Sequence, residues 1–334
     1  MGWLFYFRQI FPRMSRLIGQ YTGTTRGALV LVFGAIHGNE TAGPQALKEV
    51  FRMLKREPHV NPGFKFKGRL VGFTGNLQAY RAGQRFLQHD LNRMWTDENI
   101  QRVQRADPTT LVAEEREIAE IYRAIQAEVD AYQPEAMILL DLHTTSAGGG
   151  IFCIPTDQFT SLRLAKSLQV PVILGLLEGI EGAFLQYATR THFIANDAPL
   201  TTIGVAFESG QHEDPLSVSR AISAVISCLR AGGCIHPDDV DNRHERMLRQ
   251  YSAHLPKVTN LKYVHSIKPG DEFKMRPGYI NFQRIQKQEH LADDITGPIY
   301  APMNGLILMP LYQAKGSDGF FIVEAQDTAP VQTY

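Results

Sequence analysis

The chain is short of cysteine, of net charge and of long apolar runs. Its 334 residues include three cysteines, Cys153, Cys228 and Cys234. They form no Cys-x-x-Cys pair and leave one without a mate, which argues against a disulfide framework or a thiolate metal site and fits a reducing compartment. Lys plus Arg and Asp plus Glu each number 34, for a formal net charge of +0. No global positive field therefore exists to hold nucleic acid or an anionic membrane. The aromatic stretch MGWLFYFRQIFPRM is broken by Arg8 and Pro12 and is too short to span a bilayer. It lacks the basic start and small-residue cleavage site of a signal peptide, and Tyr6 stands where a myristoylation signal wants Ser or Thr. The expectation is a cytoplasmic protein without nucleic-acid or membrane partners.

What the chain does have is an ordinary globular composition, 44% hydrophobic and 20% charged, in a length that makes one large domain or two smaller ones. The zero net charge hides a local asymmetry. Residues 51–105 carry eleven Lys/Arg against four Asp/Glu, and residues 106–141 carry two against nine. Such blocks are either solvated faces or, on the functional reading, a basic pocket for a small anion.

Short Val/Ile/Leu-rich runs alternate with helix-period segments up to about residue 232, the pattern of an α/β domain. Strands are expected at Ala28–Ile36, Arg69–Gly75, Ala136–Leu142, Pro171–Leu176 and Ile203–Phe207, buried on both faces. Helices are expected over Thr41–Arg56, over Pro108–Tyr132, and from Asp214-Pro215 to Gly232. Beyond about residue 250, Pro, Gly and short runs (Gly278–Arg284, Gly297–Ala301, Gly305–Leu311, Gly319–Val323) take over. The predicted division is residues 1–250 for catalysis and a β-rich C-terminal domain over 251–334.

Four strand-associated motifs can carry chemistry. His37 and Glu40 follow the first expected strand; among eleven histidines, only His37 has a Glu three positions on. Carboxyl ends of strands are where open α/β sheets build sites, and both residues are normal zinc ligands. The bland alternative is a loop His and a Glu placed by the helix dipole. Asp141 and His143 share one face of a second strand; His143 is either a third ligand oriented by Asp141 or a buried His satisfied by it. Glu208 ends a third strand as a candidate general base. Arg85, Asp90, Asn92 and Arg93 lie together in the basic stretch, where arginine suits an oxyanion or a carboxylate and asparagine adds oriented hydrogen bonds.

Taken in order, His37-x-x-Glu40, Asp90-Leu-Asn92-Arg93, Asp141-Leu-His143 and Glu208-x-Gly210 resemble the motifs of the succinylglutamate desuccinylase and aspartoacylase family. That family belongs to the wider zinc carboxypeptidase-like fold, a mixed twisted α/β sheet flanked by helices. The motifs cover about residues 26–212, and the β-rich C-terminal segment is also similar. The resemblance implies one Zn2+ per chain, held by His37, Glu40 and His143. It makes Glu208 the base that activates zinc-bound water, Arg85 the polariser of the scissile carbonyl, and Asn92 and Arg93 the binders of a substrate carboxylate. Asp90 would orient His37, with Asp141 beside His143. Arg190 is similar to a further carboxylate-binding residue, although it stands 18 positions before Glu208, farther than in aspartoacylases. Phe320-Phe321 stands where aspartoacylases place a substrate-contacting Tyr. Both departures count against N-acetylaspartate as the substrate.

The expected activity is hydrolysis of an amide in an N-acyl amino acid or related small carboxylate. Alternatives are a zinc carboxypeptidase acting on peptides and a non-catalytic metal- or ligand-binding homologue. Assembly into a homo-oligomer is left open. His236/Asp239 and His290/Asp293 have metal-compatible spacing but no visible partner and are read as surface or capping residues. Gly148-Gly-Gly150 lacks phosphate-loop order and is read as a mobile substrate loop.

Overall fold

The computed structural model describes residues 15–157, 159–190, 193–240 and 243–326. The N-terminal aromatic stretch discussed above lies outside them. Among the described residues, no helix is long and apolar enough to cross a membrane.

One eleven-stranded mixed sheet organises the molecule. Its strands lie in the order Leu17–Thr22, Lys67–Thr74, Thr25–Gly34, Ala136–Thr145, Thr201–Gln211, Phe152–Pro155, Val172–Leu174, Val258–Ser266, Asp318–Ala325, Gly305–Leu308 and Arg284–Ile285. The central four, from Lys67–Thr74 to Thr201–Gln211, are parallel. All five expected strands of the first 250 residues are present. Their alternation divides the core in two. Leu29, Leu31, Phe33, Met137 and Leu139 face a cluster closed by Ile118, Ile121, Ile125 and Val129 of the helix Ala113–Tyr132. Val30, Val32, Ile138, Leu140 and Leu142 face the opposite cluster, closed by the helices Ala42–Val60 and Ser217–Ala231. Because both faces are covered, the strands read as continuous apolar runs. Each such side chain contributes about 1.5–3 kcal/mol on burial.

The C-terminal segment extends this sheet. Val258–Ser266 pairs in parallel with Val172–Leu174, and Asp318–Ala325 pairs antiparallel to it. Alternate residues of the latter strand separate two cores: Phe321 and Val323 join the cluster of Leu29 and Phe33, while Phe320 and Ile322 pack with Ile285, Leu291 and Ile307.

Three expectations need correction. The stretch Gly278–Arg284 is turn rather than strand, its backbone carried into the left-handed region at Gly278 and Phe282; pairing begins only at Arg284–Ile285. The long helix starts at Ala113 instead of Pro108. Asp107 accepts from the Thr109 N–H at 2.8 Å and makes a separate turn, and Glu115 accepts from the Val112 N–H at the true start. The Gly148–Gly150 segment docks on the C-terminal part through Asn281 N–H to Gly148 O at 2.9 Å and Tyr251 O–H to Gly149 O at 2.9 Å. A loop tied at both glycines is a packing contact.

The charge blocks resolve in part into pairs with each other, while Arg85 and Arg93 of the basic block line the cavity described below. Arg69 pairs with Glu128 at 3.0 Å, Arg102 pairs with Glu115, and the buried Glu114 receives the backbone N–H groups of Leu87, Gln88 and His89.

Candidate active site

Register places three motifs at one level. Phe33 is paired with Asp141 and Gly34 with Leu142, and His143 is paired with Glu208. His37 and Glu40, just past the end of their strand, therefore lie beside His143, with Glu208 on its other side. Gly38 allows this turn. A Cβ there would sit 2.3 Å from the backbone of Ala79 and Tyr80, so any side chain would push the His37 loop off the short helix Leu77–Ala82. At the other strand end Gly210 has φ +112°, and a Cβ would meet the buried Arg220 guanidinium at 2.6 Å. A left-handed residue here ends the Glu208 strand at little cost only as glycine.

His37, Glu40 and His143 are all buried, and their ligand atoms lie within 4.8 Å of one another. The Glu40 carboxylate lies between the two imidazoles, 2.8 Å from His37 Nδ1 and 2.9 Å from His143 Nδ1. The far nitrogens also face carboxylates: His37 Nε2 is 3.2 Å from Asp90, and His143 Nε2 is 2.8 Å from Asp141. Burial opposes ionisation of Glu40, but the charges of His37 and His143 hold it well below the usual carboxylate range. Burial likewise opposes a charged His143, and the Asp141 and Glu40 carboxylates overcome it and raise its pKa well above the usual value. Asp90 is lowered in the same way by His37 and Arg85 against its burial. Three buried carboxylates face these two imidazoles, so the site is short of positive charge. Two Nδ1 atoms and a carboxylate oxygen converge where a divalent cation would supply it, and the outer carboxylates would fix the imidazole tautomers. The donor set suits zinc. Among the described residues no other His/Cys/Asp/Glu group of three or more converges in this way; His236 and Asp238 are exposed, and His290 pairs with Asp293 and packs against Tyr300.

Around this cluster opens a cavity lined by Arg85, Asn92, Arg93, Glu208 and residues of the C-terminal segment such as Gln313 and Asp318. Glu208 lines it with one buried oxygen, Oε2, that has no hydrogen-bond partner. Burial pushes the Glu208 carboxyl up to about 8; Glu40 and Asp141 add to the rise, while His143 and Arg85 oppose it.

The catalytic-domain model of the succinylglutamate desuccinylase/aspartoacylase family matches residues 26–211. The chain belongs to that family. A succinylglutamate desuccinylase of Serratia proteamaculans is 26% identical over 268 residues, 75% of this chain and 77% of its own length. A probable aspartoacylase of Nostoc sp. is 28% identical over 131 residues, 39% of each chain. Among solved structures, a succinylglutamate desuccinylase/aspartoacylase from Rhodobacter sphaeroides superposes with a TM-score of 0.61 at 15% identity, covering 92% of this chain and 88% of that one. Murine aminoacylase 3 gives 0.57 at 17% identity, covering 89% and 95%. At these identities the structural likeness concerns the fold.

Residues of the family motifs line part of the cavity, with differences in detail. Arg85 reaches Glu40 and Asp90 at 3.4 Å each and His37 Nε2 at 2.9 Å. Asn92 lines the cavity, but its side-chain oxygen accepts from the Phe184 N–H at 2.9 Å, anchoring the turn Leu91–Arg93 to the helix Phe184–Thr189. Arg93 forms an ion pair with Asp318. Arg190 is not brought to the site: it is exposed at the end of that helix, 3.9 Å from Asp97, because the helix directs its apolar residues inward and its last residue to the surface. Of the two phenylalanines, only Phe321 lines the cavity; Phe320 points through the sheet and stacks on His265 at 4.9 Å.

Two groups went unread in the sequence. Asp318 lies far from every motif, and Glu114 and Glu117 looked like part of an acidic helix face; their only signal was the i, i+3 pair within the acidic block. Glu114 accepts from three consecutive loop amides at 2.6–3.2 Å and from Asn76 Nδ2 at 3.3 Å. Glu117 accepts from Leu77 and Gln78. Glu114 thus holds the loop between Arg85 and Asp90, and Glu117 holds the start of the helix Leu77–Ala82. Glu114→Ala is expected to cost about 3 kcal/mol in urea unfolding, since it strands buried N–H groups without partners.

The Glu208 shift has a consequence for stability. Its folded pKa lies above the unfolded one, so its contribution is complete below about pH 4.5 and is lost as pH rises through about 8. In metal-free protein, Glu208→Gln is expected to match wild type in melting temperature near pH 4.5 and to exceed it by several degrees at pH 9. Parallel melting curves across that range would show that burial does not govern this carboxyl.

Proposed function

We propose that the chain is a zinc-dependent hydrolase of N-acyl amino acids, cleaving the amide between a small acyl group and an amino acid. The observation that carries this reading is the pairing of an unpartnered, buried Glu208 oxygen with the His37–Glu40–His143 cluster on adjacent strand ends. A binding protein needs the second but not the first. The family membership and the relatives' names support the acyl-amino-acid class. Three buried free thiols fit the expected cytoplasmic setting.

Zinc held by His37, Glu40 and His143 supplies Lewis acidity to a water and to the scissile carbonyl. The chain's own groups do the rest. Glu208 Oε2 takes a proton from the attacking water and returns it to the amine nitrogen as the C–N bond breaks, so that water and amide become a carboxylic acid and a free amine. Arg85 places its guanidinium at the developing oxyanion. Arg93 and Asn92 position the substrate carboxylate, and the apolar wall excludes water from the reacting atoms.

The test is a panel of N-acetyl- and N-succinyl-amino acids given to purified protein, with metal content measured. Release of free amine that chelation abolishes and zinc restores, at about one zinc per chain, is the expected result. No bound metal and no turnover after zinc addition would sink the reading. Arg93→Ala is expected to raise KM about tenfold or more with kcat little changed, because a clamp binds ground and transition states alike; a steady-state comparison checks it.

A further inference from the structure

The cavity wall carries a charge pattern that amide hydrolysis does not require. Among the described residues, its guanidinium groups are Arg85 and Arg93 alone. Arg85 is engaged by Glu40, Asp90 and His37. Arg93 is engaged through Nη2 by the carboxylate of Asp318 and through Nη1 by the Asn92 carbonyl at 2.8 Å. Two other nearby cations do not line the cavity: Lys315 donates to the Phe86 carbonyl at 2.8 Å, and Arg190 sits on the surface with Asp97. Of the wall carboxylates, Glu40 and Asp141 are taken up by the imidazoles, which leaves Asp318 as the one set against Arg93. The rest of the wall has a distinct apolar lobe built from Ile154, Leu176, Leu177, Ile180, Leu185 and Phe321.

We propose that the substrate carries no more than one carboxylate together with an uncharged apolar group, and that Asp318 is the specificity-determining residue that rejects a second carboxylate. The inference rests on the deacylase reading and narrows it. Asp318 already neutralises Arg93, so a substrate carboxylate at the clamp shares its cation with a fixed anion. Among the described residues, a second carboxylate finds no further cation on the wall outside the metal cluster and would be desolvated unpaired, which is strongly unfavourable. An apolar group seated in the lobe gains roughly fourfold in affinity per methylene. Asp318 opens the strand that also supplies Phe321, so one segment sets both the charge and the apolar character of the wall.

The experiment compares kcat/KM of the zinc-loaded wild type and Asp318→Asn on N-acetylleucine, N-hexanoylglycine, N-acetylaspartate and N-succinylglutamate. Wild type is expected to favour the first two over the last two by about a hundredfold. Asp318→Asn is expected to narrow that ratio about tenfold through KM, with kcat little altered, because charge repulsion acts on binding. The contrast between the two monocarboxylates shows whether acyl chain or side chain occupies the lobe. Wild-type preference for N-acetylaspartate or N-succinylglutamate, or an equal loss on all four substrates in the variant, overturns the proposal. Turnover of none of them removes the deacylase reading instead. Equilibrium binding of the same four compounds then decides the narrower point, and polycarboxylates that bind as tightly as the monocarboxylates overturn it.

Discussion

Glu208→Gln is expected to lower kcat by about three to four orders of magnitude while the protein keeps its metal and most of its affinity for substrate. The substitution is nearly isosteric in a fully enclosed place and removes only the ability to hold and release a proton. Positioned acid–base groups contribute about 10²–10⁴ in rate, and here one carboxyl serves both the attack and the departure of the amine. Its buried Oε2 has no partner to leave unsatisfied, so the loss of activity should not come with misfolding. Kinetics and elemental analysis on the same preparation make the check. A variant that retains activity within tenfold, or one that loses the metal with its activity, removes Glu208 from the role of base.

His143→Ala is expected to weaken zinc binding by at least a thousandfold, read by competition with a chelating dye. Asp141→Asn is expected to weaken it only about ten- to a hundredfold. The difference separates a ligand from the group that orients it. Removing His143 deletes one of three converging donors, whereas removing the Asp141 charge leaves the imidazole in place 2.9 Å from Glu40 and alters only its orientation and basicity. Equal losses in the two variants would mean that the buried network, and not the donor set, controls the metal. Wild-type occupancy in His143→Ala would mean that the ligands lie elsewhere.

Much of this site is legible before any coordinates. His37-x-x-Glu40, Asp141-Leu-His143 and Glu208-x-Gly210 each sit at the end of an apolar run, and parallel pairing with little stagger necessarily brings such strand ends side by side. The helix Ser217–Ala231 and the central strands read correctly for a similar reason: burial on one face or on both imposes a local period on the residues. The missed elements lack that imprint. Phe152–Pro155 is four residues long, too short for a period to show, and it enters the sheet antiparallel to Glu208's strand. The Gly278–Arg284 stretch has the composition of a strand, but its left-handed residues turn the chain.

Composition and local spacing therefore determined the α/β core, the three strand-end motifs and the chemistry that they can support. Tertiary structure alone decided which charges meet. It placed Asp318 on Arg93, 225 positions away, sent Arg190 to the surface, and turned two acids of a helix face into the carboxylates that hold the Arg85–Asp90 loop and the start of the helix Leu77–Ala82. The physical reason is range. A residue's period along a helix or strand is written in its neighbours, whereas an ion pair between distant segments exists only where the packing of the intervening core brings the two ends to the same few ångströms.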